Sequence, residues 1–189
     1  AKVACSHVKE SSSVLLAPRQ LGFGIAGGAE AAVRAARRYV DSMKPDEVFV
    51  KIDFRNAFNT LRRDSILEAV AKHFPELLHF AESTISQTST LQFGDFSLQS
   101  DEGAQQGDPL GPLYFCLTFK KLLDDRKSEF VIGFLDDVAI GGEAACALED
   151  FIQLEEAAKS IGLQMNHNKC EIVGLSDDTR FLFTSRGIN

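Results

Sequence analysis

The spacing of apolar residues along the chain predicts both helices and strands. Residues 29–43 are rich in Ala and Arg and have the period of a helix, and residues 48–52 form an apolar run that predicts a buried strand ending at Asp53. A second helical stretch covers residues 63–84, with a break near Pro75, because proline fits the first turn of a helix but not its interior. The first half of the chain is therefore expected to contain helices on both sides of one buried strand.

The second half of the chain alternates between strand-like and helix-like patterns. Residues 90–100 alternate around Gly94-Asp95, which predicts a hairpin, and a loop at residues 103–112 leads into an apolar helix ending near Leu123. The remaining predicted elements are a hairpin of residues 130–135 and 138–140, a helix over residues 143–161 that stops at Gly162, and strands at residues 169–175 and 181–183. Hairpins among helices favour an α+β fold with an antiparallel sheet over a parallel doubly wound sheet.

Three aspartates lie at the ends of the apolar runs. Asp136 and Asp137 are adjacent in the second hairpin, where two carboxylates repel each other and resist burial unless a cation is present. Asp53 ends the buried strand, where a metal ligand can be held on a rigid frame. Adjacent acids are also common in solvated turns, and Asp is a favoured helix N-cap. The residues alone leave both interpretations open, a metal site or ordinary turn and cap residues.

The loop at residues 102–112 is the third candidate feature. It reads Glu-Gly-Ala-Gln-Gln-Gly-Asp-Pro-Leu-Gly-Pro, so that glycine backbone and a glutamine side chain can approach a ligand closely. Pro109 and Pro112 suit the start of a helix. An ordinary loop at a helix entry explains each feature singly, but not their combination.

Four motifs in the same order resemble those of reverse transcriptases from retrotransposons without long terminal repeats. They are Val-Lys-Ile-Asp53-Phe-Arg-Asn-Ala-Phe58-Asn, Ala104-Gln-Gln106-Gly107-Asp108-Pro109-Leu-Gly-Pro112-Leu, Phe134-Leu-Asp136-Asp137 and Gly162-Leu163-Gln-Met-Asn166-His-Asn-Lys169-Cys170-Glu171. Arg19-Gln20-Leu-Gly-Phe-Gly, with the Ala-rich helix after it, fits the fingers segment that precedes the first motif. Four ordered motifs over residues 18–171 make the resemblance specific, whereas one motif alone is weak.

This resemblance implies a polymerase palm, which is a ferredoxin-like antiparallel sheet with helices on one face, together with part of the fingers. Partial fingers are then expected at residues 1–45 and the palm at residues 46–189, with residues 60–110 including elements of both fingers and palm. No thumb is expected in this chain. The remaining fingers and the thumb are expected to belong to a longer polyprotein.

The resemblance also implies a chemistry, that of an RNA-directed DNA polymerase adding deoxynucleotides to a primer 3′-hydroxyl. The implied ligands of two Mg²⁺ ions, for which Mn²⁺ can substitute, are Asp53, Asp136 and Asp137. Phe58 would stack under the incoming sugar and exclude a 2′-hydroxyl, and Lys169 would protonate the leaving pyrophosphate, although a lysine at this position can also be an ordinary surface residue. The residues implied in deoxynucleotide binding are Phe54, Phe58, Gln106 and Gly107.

Two functions remain open. The first is the catalytic core of an RNA-directed DNA polymerase, with RNA template, DNA primer and deoxynucleotides as partners. The second is a truncated or co-opted palm that lacks activity and serves as a binding scaffold. The intact acids favour the first function, and the short length favours the second. An RNA-templated RNA polymerase is disfavoured, because such enzymes usually place Asp where Phe58 stands and Ser-Gly where Gln106-Gly107 stands.

Composition changes the interpretation mainly for partners and location. The 189 residues carry a formal charge of −7, which weakly opposes nucleic-acid binding. Basic residues are nevertheless clustered, at Arg34, Arg37 and Arg38, at Arg62 and Arg63, and at Lys120, Lys121, Arg126 and Lys127. Such a cluster is more often a solvated helix face than a phosphate-binding site, so both interpretations stay open. Four scattered cysteines without a CxxC pair predict buried free thiols and disfavour a zinc site. No apolar run is long enough to span a membrane, so an intracellular location, nuclear or cytoplasmic, is expected.

Overall fold

The computed structural model describes residues 1–105, 107–174, 176–185 and 187–188, which form eight α-helices and six β-strands. The helices are α1 (Lys2–Leu16), α2 (Gly28–Ser42), α3 (Ala57–Thr60), α4 (Arg63–His73), α5 (Pro75–Ile85), α6 (Gly111–Asp124), α7 (Ala144–Ser160) and α8 (Asp177–Thr184). The strands are β1 (Glu47–Ile52), β2 (Ser89–Phe93), β3 (Phe96–Ser100), β4 (Phe130–Phe134), β5 (Asp137–Glu143) and β6 (Glu171–Gly174). A 3-10 helix at His167–Lys169 precedes β6.

Four strands form one antiparallel sheet in the order β4-β5-β1-β6. Helices α3 to α6 connect β1 to β4, and α7 connects β5 to β6. The chain therefore follows the β-α-β-β-α-β order of a ferredoxin-like fold. This arrangement confirms the predicted α+β class with an antiparallel sheet.

One face of the sheet packs against helices and forms the core. Val48, Val50 and Ile52 alternate along β1 toward this face, and all three are fully buried. Complete burial of one such side chain contributes about 1.5–3 kcal/mol. The helical layer beneath the sheet supplies the largest fully buried side chains of the described residues, which are Tyr114, Phe115 and Phe119 from α6, Phe151 from α7 and Phe183 from α8. The strand that ends at Asp53 is thus held rigidly by its inner face.

The opposite face of the sheet is covered only in part, by helix α2. Tyr39 of this helix stacks on Phe130 of β4, with ring centroids 4.9 Å apart. Gly141 of β5 allows this approach, because a Cβ there would lie 2.5 Å from the Tyr39 ring. Beyond Tyr39, a groove of about 480 Å³ between α2 and the sheet extends to Asp137. The helices therefore lie mainly, but not only, on the core face.

Most predicted elements are confirmed within one or two residues. The helix expected at residues 29–43 is α2, and the helical stretch at residues 63–84 forms α4 and α5, with Pro75 as the first residue of α5. The hairpin expected at residues 90–100 forms β2 and β3, which pair from Ser89 with Ser100 to Phe93 with Phe96. Strong periodicity and clear breaking residues made these segments predictable.

The predicted strand at residues 181–183 is wrong, because these residues belong to helix α8. Ser176 caps the helix, and its Oγ accepts a hydrogen bond from the Thr179 backbone N–H at 3.2 Å. Asp177 and Asp178 in the first turn also favour a helix start. The strand predicted at residues 169–175 begins only at Glu171, and Leu175 lies outside the described residues.

The β2–β3 hairpin forms a separate two-stranded sheet that is anchored by one arginine. The buried guanidinium of Arg63 donates to the carbonyl oxygens of Gln87 at 3.0 Å, Ser100 at 3.0 Å and Gly103 at 3.2 Å. The predicted basic cluster of Arg62 and Arg63 is thus partly structural, because Arg63 fixes both ends of the hairpin and the loop that follows. Its neighbour Arg62 is exposed and pairs with Asp64.

The predictions from composition hold for the described residues as follows. All four cysteines are free; Cys116 and Cys170 are buried, whereas Cys5 and Cys146 are only half-buried. No helix within the described ranges is both long and apolar enough to cross a membrane.

Candidate active site

The turn between β4 and β5 carries the two adjacent carboxylates. Phe134 pairs with Asp137 across the hairpin, so Leu135 and Asp136 form a two-residue turn. Leu135 has a φ of +56°, a left-handed conformation that is uncommon for a residue other than glycine. Asp136 is half-buried, and Asp137 is exposed as the first residue of β5. The carboxylates therefore project from the end of two adjacent, well-ordered strands.

Asp53 lies next to this turn because of the register between the two central strands. Ile52 at the end of β1 pairs with Val138 of β5, so continuing the register by one residue places Asp53 opposite Asp137. Residues directly opposite in antiparallel strands have Cβ atoms about 4.5–5.5 Å apart. The carbonyl oxygen of Asp53 also accepts a hydrogen bond from the Asn166 N–H at 2.8 Å. The structure thus brings the three predicted aspartates to one edge of the sheet.

The proximity of these carboxylates has an electrostatic consequence. Burial is the main cause that raises the pKa of Asp136 above its usual value. A backbone hydrogen bond opposes this rise, and the charges of Asp137 and Asp53 add smaller increases. The charges of Asp137 and Asp53 therefore disfavour the charged form of Asp136 when no cation is present.

These carboxylates have the chemistry of a site for a hard divalent cation. Mg²⁺ and Mn²⁺ prefer oxygen ligands, and a bound cation would offset the repulsion felt by Asp136. Among the residues that the structure describes, however, no three His, Cys, Asp or Glu side chains converge closely enough to hold one ion together. The donor types fit the ion, and simultaneous ligation requires side-chain rotation, for which the exposed Asp137 is free.

The two phenylalanines predicted to contact a nucleotide have different surroundings. Phe54 is buried, with its ring edge-on to Phe119 at 5.4 Å, so its side chain belongs to the core. Phe58 is half-buried and stacks on Phe115 at 4.7 Å, with an angle of 15° between the ring planes. Of these two side chains, that of Phe58 is the one placed to contact a bound molecule.

The loop of the second motif is attached to the helix that carries Phe58. The Ala104 N–H donates to the carbonyl oxygen of Phe58 at 2.9 Å, and the Gly103 N–H donates to that of Leu61 at 2.8 Å. Gly107 is exposed and has a φ of +92°, which favours glycine. Gln106 lies outside the described residues. The structure therefore fixes the start of this loop beside Phe58, with Gly107 three residues further along the chain.

Lys169 is the predicted site residue for which the structure shows no contact with the acids. It is exposed at the end of the 3-10 helix, and its ammonium group is beyond 4.0 Å ion-pair distance from Asp53, Asp136 and Asp137. The connection between α7 and β6, which carries Lys169, nevertheless lies next to the site, because its residue Met165 forms an antiparallel β-bridge with Phe54. Lys169 is free to move toward a bound molecule.

Gln20 is a residue of the site region whose role the sequence did not reveal. Its side chain is fully buried and hydrogen-bonds the backbone of Leu135 in the turn that carries the carboxylates. The two residues are 115 positions apart, so no local periodicity connects them. The motif Arg19-Gln20-Leu-Gly-Phe-Gly marked this segment, but nothing in its spacing indicated what it contacts.

Comparison with known sequences identifies the family. The family described as "Reverse transcriptase (RNA-dependent DNA polymerase)" matches residues 3–183 of this chain. The chain belongs to the reverse transcriptase family. The match extends across Gln20, Asp53, Asp136 and Lys169, and so includes every segment described above.

Individual relatives point to the same group of reverse transcriptase proteins. The chain is 27% identical over 195 residues to the retrotransposable element SLACS 132 kDa protein of Trypanosoma brucei gambiense, an alignment that covers 96% of this chain and 16% of that protein. It is 26% identical to the Pol polyprotein of the type-2 retrotransposable element R2DM of Drosophila melanogaster, with 87% and 18% covered. These relatives confirm the resemblance to retrotransposons without long terminal repeats. The chain spans less than a fifth of either relative.

The fold also matches that of a reverse transcriptase-like polymerase of known structure. Apo telomerase from Candida tropicalis, truncated from its C-terminal domain, superposes with a TM-score of 0.67 and 15% sequence identity. The match covers 90% of this chain and 40% of that chain. At this level of identity the likeness concerns the fold alone, and it confirms the polymerase type of the α+β architecture.

Proposed function

We propose that this chain is the catalytic core of an RNA-directed DNA polymerase, which transfers deoxynucleotides to a primer 3′-hydroxyl by a two-metal mechanism. The observation that carries this proposal is the register that sets Asp53 opposite Asp137, next to Asp136. Membership of the reverse transcriptase family supports the reaction class. The division into partial fingers at residues 1–45 and a palm at residues 46–189 belongs to the same proposal.

The three aspartates would act by placing negative charge where the cations must lie. Asp53 and Asp136 would hold two Mg²⁺ ions, and Asp137 would support them from the start of β5. When bound, the ions lower the pKa of the primer 3′-hydroxyl and neutralise the triphosphate and the leaving pyrophosphate. Because the carboxylates are carried at the ends of paired strands, catalysis would depend mainly on the alignment of the reacting groups and on charge neutralisation.

The half-buried ring of Phe58 would select the sugar. It is held by its stack on Phe115, and a ribose 2′-hydroxyl placed against it would collide with a ring that cannot retreat. Gln106 and Gly107 would contact the nucleotide and the template base from the adjacent loop, and Phe54 would contribute only backbone. Lys169 would protonate the leaving pyrophosphate after moving inward from its exposed position.

The template and primer would lie along helix α2, where cations are available for phosphates. Arg34, Arg37 and Arg38 are exposed, and within the described part of the chain their guanidinium groups have no acidic partner. The same helix lines the groove that extends to Asp137. Because phosphate contacts dominate nucleic-acid affinity, this surface offsets the unfavourable overall charge of −7.

Extension of a DNA primer on an RNA template, with Mg²⁺ or Mn²⁺, tests the proposal. The parent chain is expected to add deoxynucleotides, and Asp53→Asn is expected to lower the rate by about 1,000-fold, because metal ligation supplies several kcal/mol to the transition state. Asp125→Asn is the matched control, since Asp125 is exposed and pairs only with Lys121. A folded parent chain without extension would favour an inactive scaffold, and equal rates for parent and Asp53→Asn would remove Asp53 from the mechanism.

A further inference from the structure

The turn that carries the carboxylates contains a conformation that needs support. Leu135 precedes Asp136 directly and has a φ of +56°, which L-residues with a branched side chain rarely adopt. Hairpin turns that require a positive φ at this position are normally made by glycine or asparagine. A leucine therefore remains in this conformation only if its surroundings hold it there.

The side chain of Gln20 supplies this support through both ends of its amide. Its Oε1 accepts hydrogen bonds from the N–H of Leu135 at 2.9 Å and from the N–H of Gly22 at 2.9 Å. Its Nε2 donates to the carbonyl oxygen of Leu135 at 3.1 Å. Gln20 is completely buried, so water does not compete for these contacts. One side chain thus binds both backbone polar groups of the turn residue.

The backbone of the Gln20 segment is itself fixed to the sheet. The Leu21 N–H donates to the carbonyl oxygen of Gly133 at 2.8 Å, and the Gly133 N–H donates to that of Arg19 at 2.6 Å. The Arg19 guanidinium donates to carbonyl oxygens at the end of α6, including that of Asp124 at 3.0 Å. The amide of Gln20 therefore acts from a rigid position at the edge of β4.

The close fit of the segment leaves no room for alternatives at Gly22. A Cβ there would lie 2.5 Å from the Leu135 backbone nitrogen and 2.9 Å from Gln20 Oε1. The contact between the Gln20 segment and the Leu135 turn therefore depends on the glycine at position 22 and on the Gln20 side chain. A buried glutamine could satisfy its own amide with any nearby polar groups. Here the amide binds both the N–H and the carbonyl oxygen of Leu135, the residue with the unfavourable φ.

We propose that Gln20 is a positioning residue, which fixes the Leu135 turn and so keeps Asp136 and Asp137 beside Asp53 at the end of the sheet, where divalent cations would bind. This inference rests on the proposed function. Gln20 touches neither the ions nor the nucleotide, and it acts only through the backbone of Leu135. Without its amide, the turn relaxes and the two carboxylates lose their fixed relation to Asp53.

The test compares Gln20→Met, which keeps the side-chain length but removes the amide, with Gln153→Met. Gln153 is also partly buried and hydrogen-bonded, to Arg126 and Glu149, but lies on α7 away from the turn. Two quantities are measured, hydrogen exchange of the Leu135 amide and Mn²⁺ affinity by calorimetry. Gln20→Met is expected to speed exchange at Leu135 and to weaken Mn²⁺ binding by at least about tenfold, and Gln153→Met is expected to change neither.

A second pair of variants separates positioning from general stability. Gln20→Glu keeps the oxygen that accepts from the Leu135 N–H but loses the donor to the Leu135 carbonyl oxygen. It replaces Gln20→Met in both measurements if Gln20→Met does not fold. Glycine adopts a positive φ at little cost, so Leu135→Gly removes the need to hold a leucine in this conformation. In that background Gln20→Met is therefore expected to change Mn²⁺ affinity less than about threefold. A merely structural glutamine would give the same loss in both backgrounds.

The outcomes distinguish this inference from the proposed function. Parent protein that binds Mn²⁺, together with a folded Gln20→Met variant of unchanged affinity, would overturn the positioning role alone. Parent protein that binds no Mn²⁺ would overturn the proposed function and the positioning role with it. Faster exchange at Leu135 with a loss of Mn²⁺ affinity that Leu135→Gly rescues would establish the role.

Discussion

At the scale of single residues, the two phenylalanines of the first motif, Phe54 and Phe58, have different surroundings. Phe54 and Phe58 are four positions apart. Phe54 packs within the core against Phe119, whereas Phe58 stacks on Phe115 at the edge of the core. A buried ring stabilises the fold, and a half-buried ring can also meet a ligand. Phe58 is therefore the residue of the pair whose substitution is expected to change substrate choice.

Replacement of Phe58 by alanine tests this assignment. Phe58→Ala is expected to raise the incorporation of ribonucleotides relative to deoxynucleotides by roughly tenfold or more, because the ring that would collide with a 2′-hydroxyl is gone. The measurement is the ratio of kcat/KM values for the two nucleotide types on the same primer and template. Phe58→Tyr, which keeps the ring, is the control. An unchanged ratio in Phe58→Ala would show that this ring does not select the sugar.

The sequence predicted the three aspartates but not the residue that holds their turn. Asp53, Asp136 and Asp137 lie at the ends of apolar runs, so the sequence pattern alone shows charged residues next to predicted buried strands. Gln20 contacts Leu135 across 115 positions, and no periodicity encodes a contact between two separate segments. The surroundings of Phe54 depend in the same way on packing that only the folded chain defines.

At the scale of secondary-structure elements, Arg63 joins helix α4 to the β2–β3 hairpin. Arg63→Met is expected to lower the free energy of unfolding by about 2–4 kcal/mol, because several buried carbonyl oxygens lose a charged donor. Urea denaturation measures this change. Arg62→Met is the adjacent control and is expected to leave the free energy of unfolding nearly unchanged, since Arg62 is exposed and pairs with Asp64. Equal losses would show that the hairpin does not depend on Arg63.

The turn between α2 and β1 depends on a carboxylate. Glu47 is buried and accepts hydrogen bonds from the Lys44 N–H at 3.0 Å and from Lys44 Nζ at 2.9 Å, which lower its pKa below the usual 4.5. A lowered carboxyl pKa stabilises the native state above the unfolded-state pKa, and this contribution is lost as the pH falls through the native-state pKa.

Glu47→Gln is therefore expected to destabilise the chain by about 1 kcal/mol at pH 7, with the difference from the parent shrinking below pH 4.5. Unfolding free energies measured from pH 7 down to pH 3 check this prediction. A difference that is constant with pH would show that the charge of Glu47 makes no contribution.

The errors in the predicted elements also have a physical cause at this scale. Helix α8 was predicted as a strand at residues 181–183, because a three-residue apolar run has no period that separates helix from strand. The helix is decided by the cap at Ser176 and by Phe183, which packs fully buried against Phe151. Helices α2, α4 and α5 were predictable, since their patterns repeat over several turns.

At the scale of the whole molecule, the distribution of charge matters more than its sum. The chain is acidic overall, but Arg34, Arg37 and Arg38 lie together on the exposed side of α2. Replacing all three by glutamine is expected to weaken binding to an RNA–DNA duplex and to reduce the slope of log affinity against log salt by about 2–3. Fluorescence anisotropy at several salt concentrations measures both quantities.

The control for this variant changes two cations that are already paired. Lys120 and Lys121 form ion pairs with Asp124 and Asp125 on α6, so their replacement by glutamine is expected to leave the salt slope within about 1 of the parent value. A larger effect from the lysines than from the arginines would place the nucleic acid on another surface.

The central claim is that Asp53, Asp136 and Asp137 form one metal site, and calorimetric titration with Mn²⁺ tests it most directly. The parent chain and the control Asp125→Asn are expected to bind Mn²⁺ alike. Asp136→Asn is expected to stay folded, because it removes one of three repelling carboxylates, and to bind at least about tenfold more weakly. Equal affinity of Asp136→Asn and the parent, or no binding by the parent, would contradict the claim.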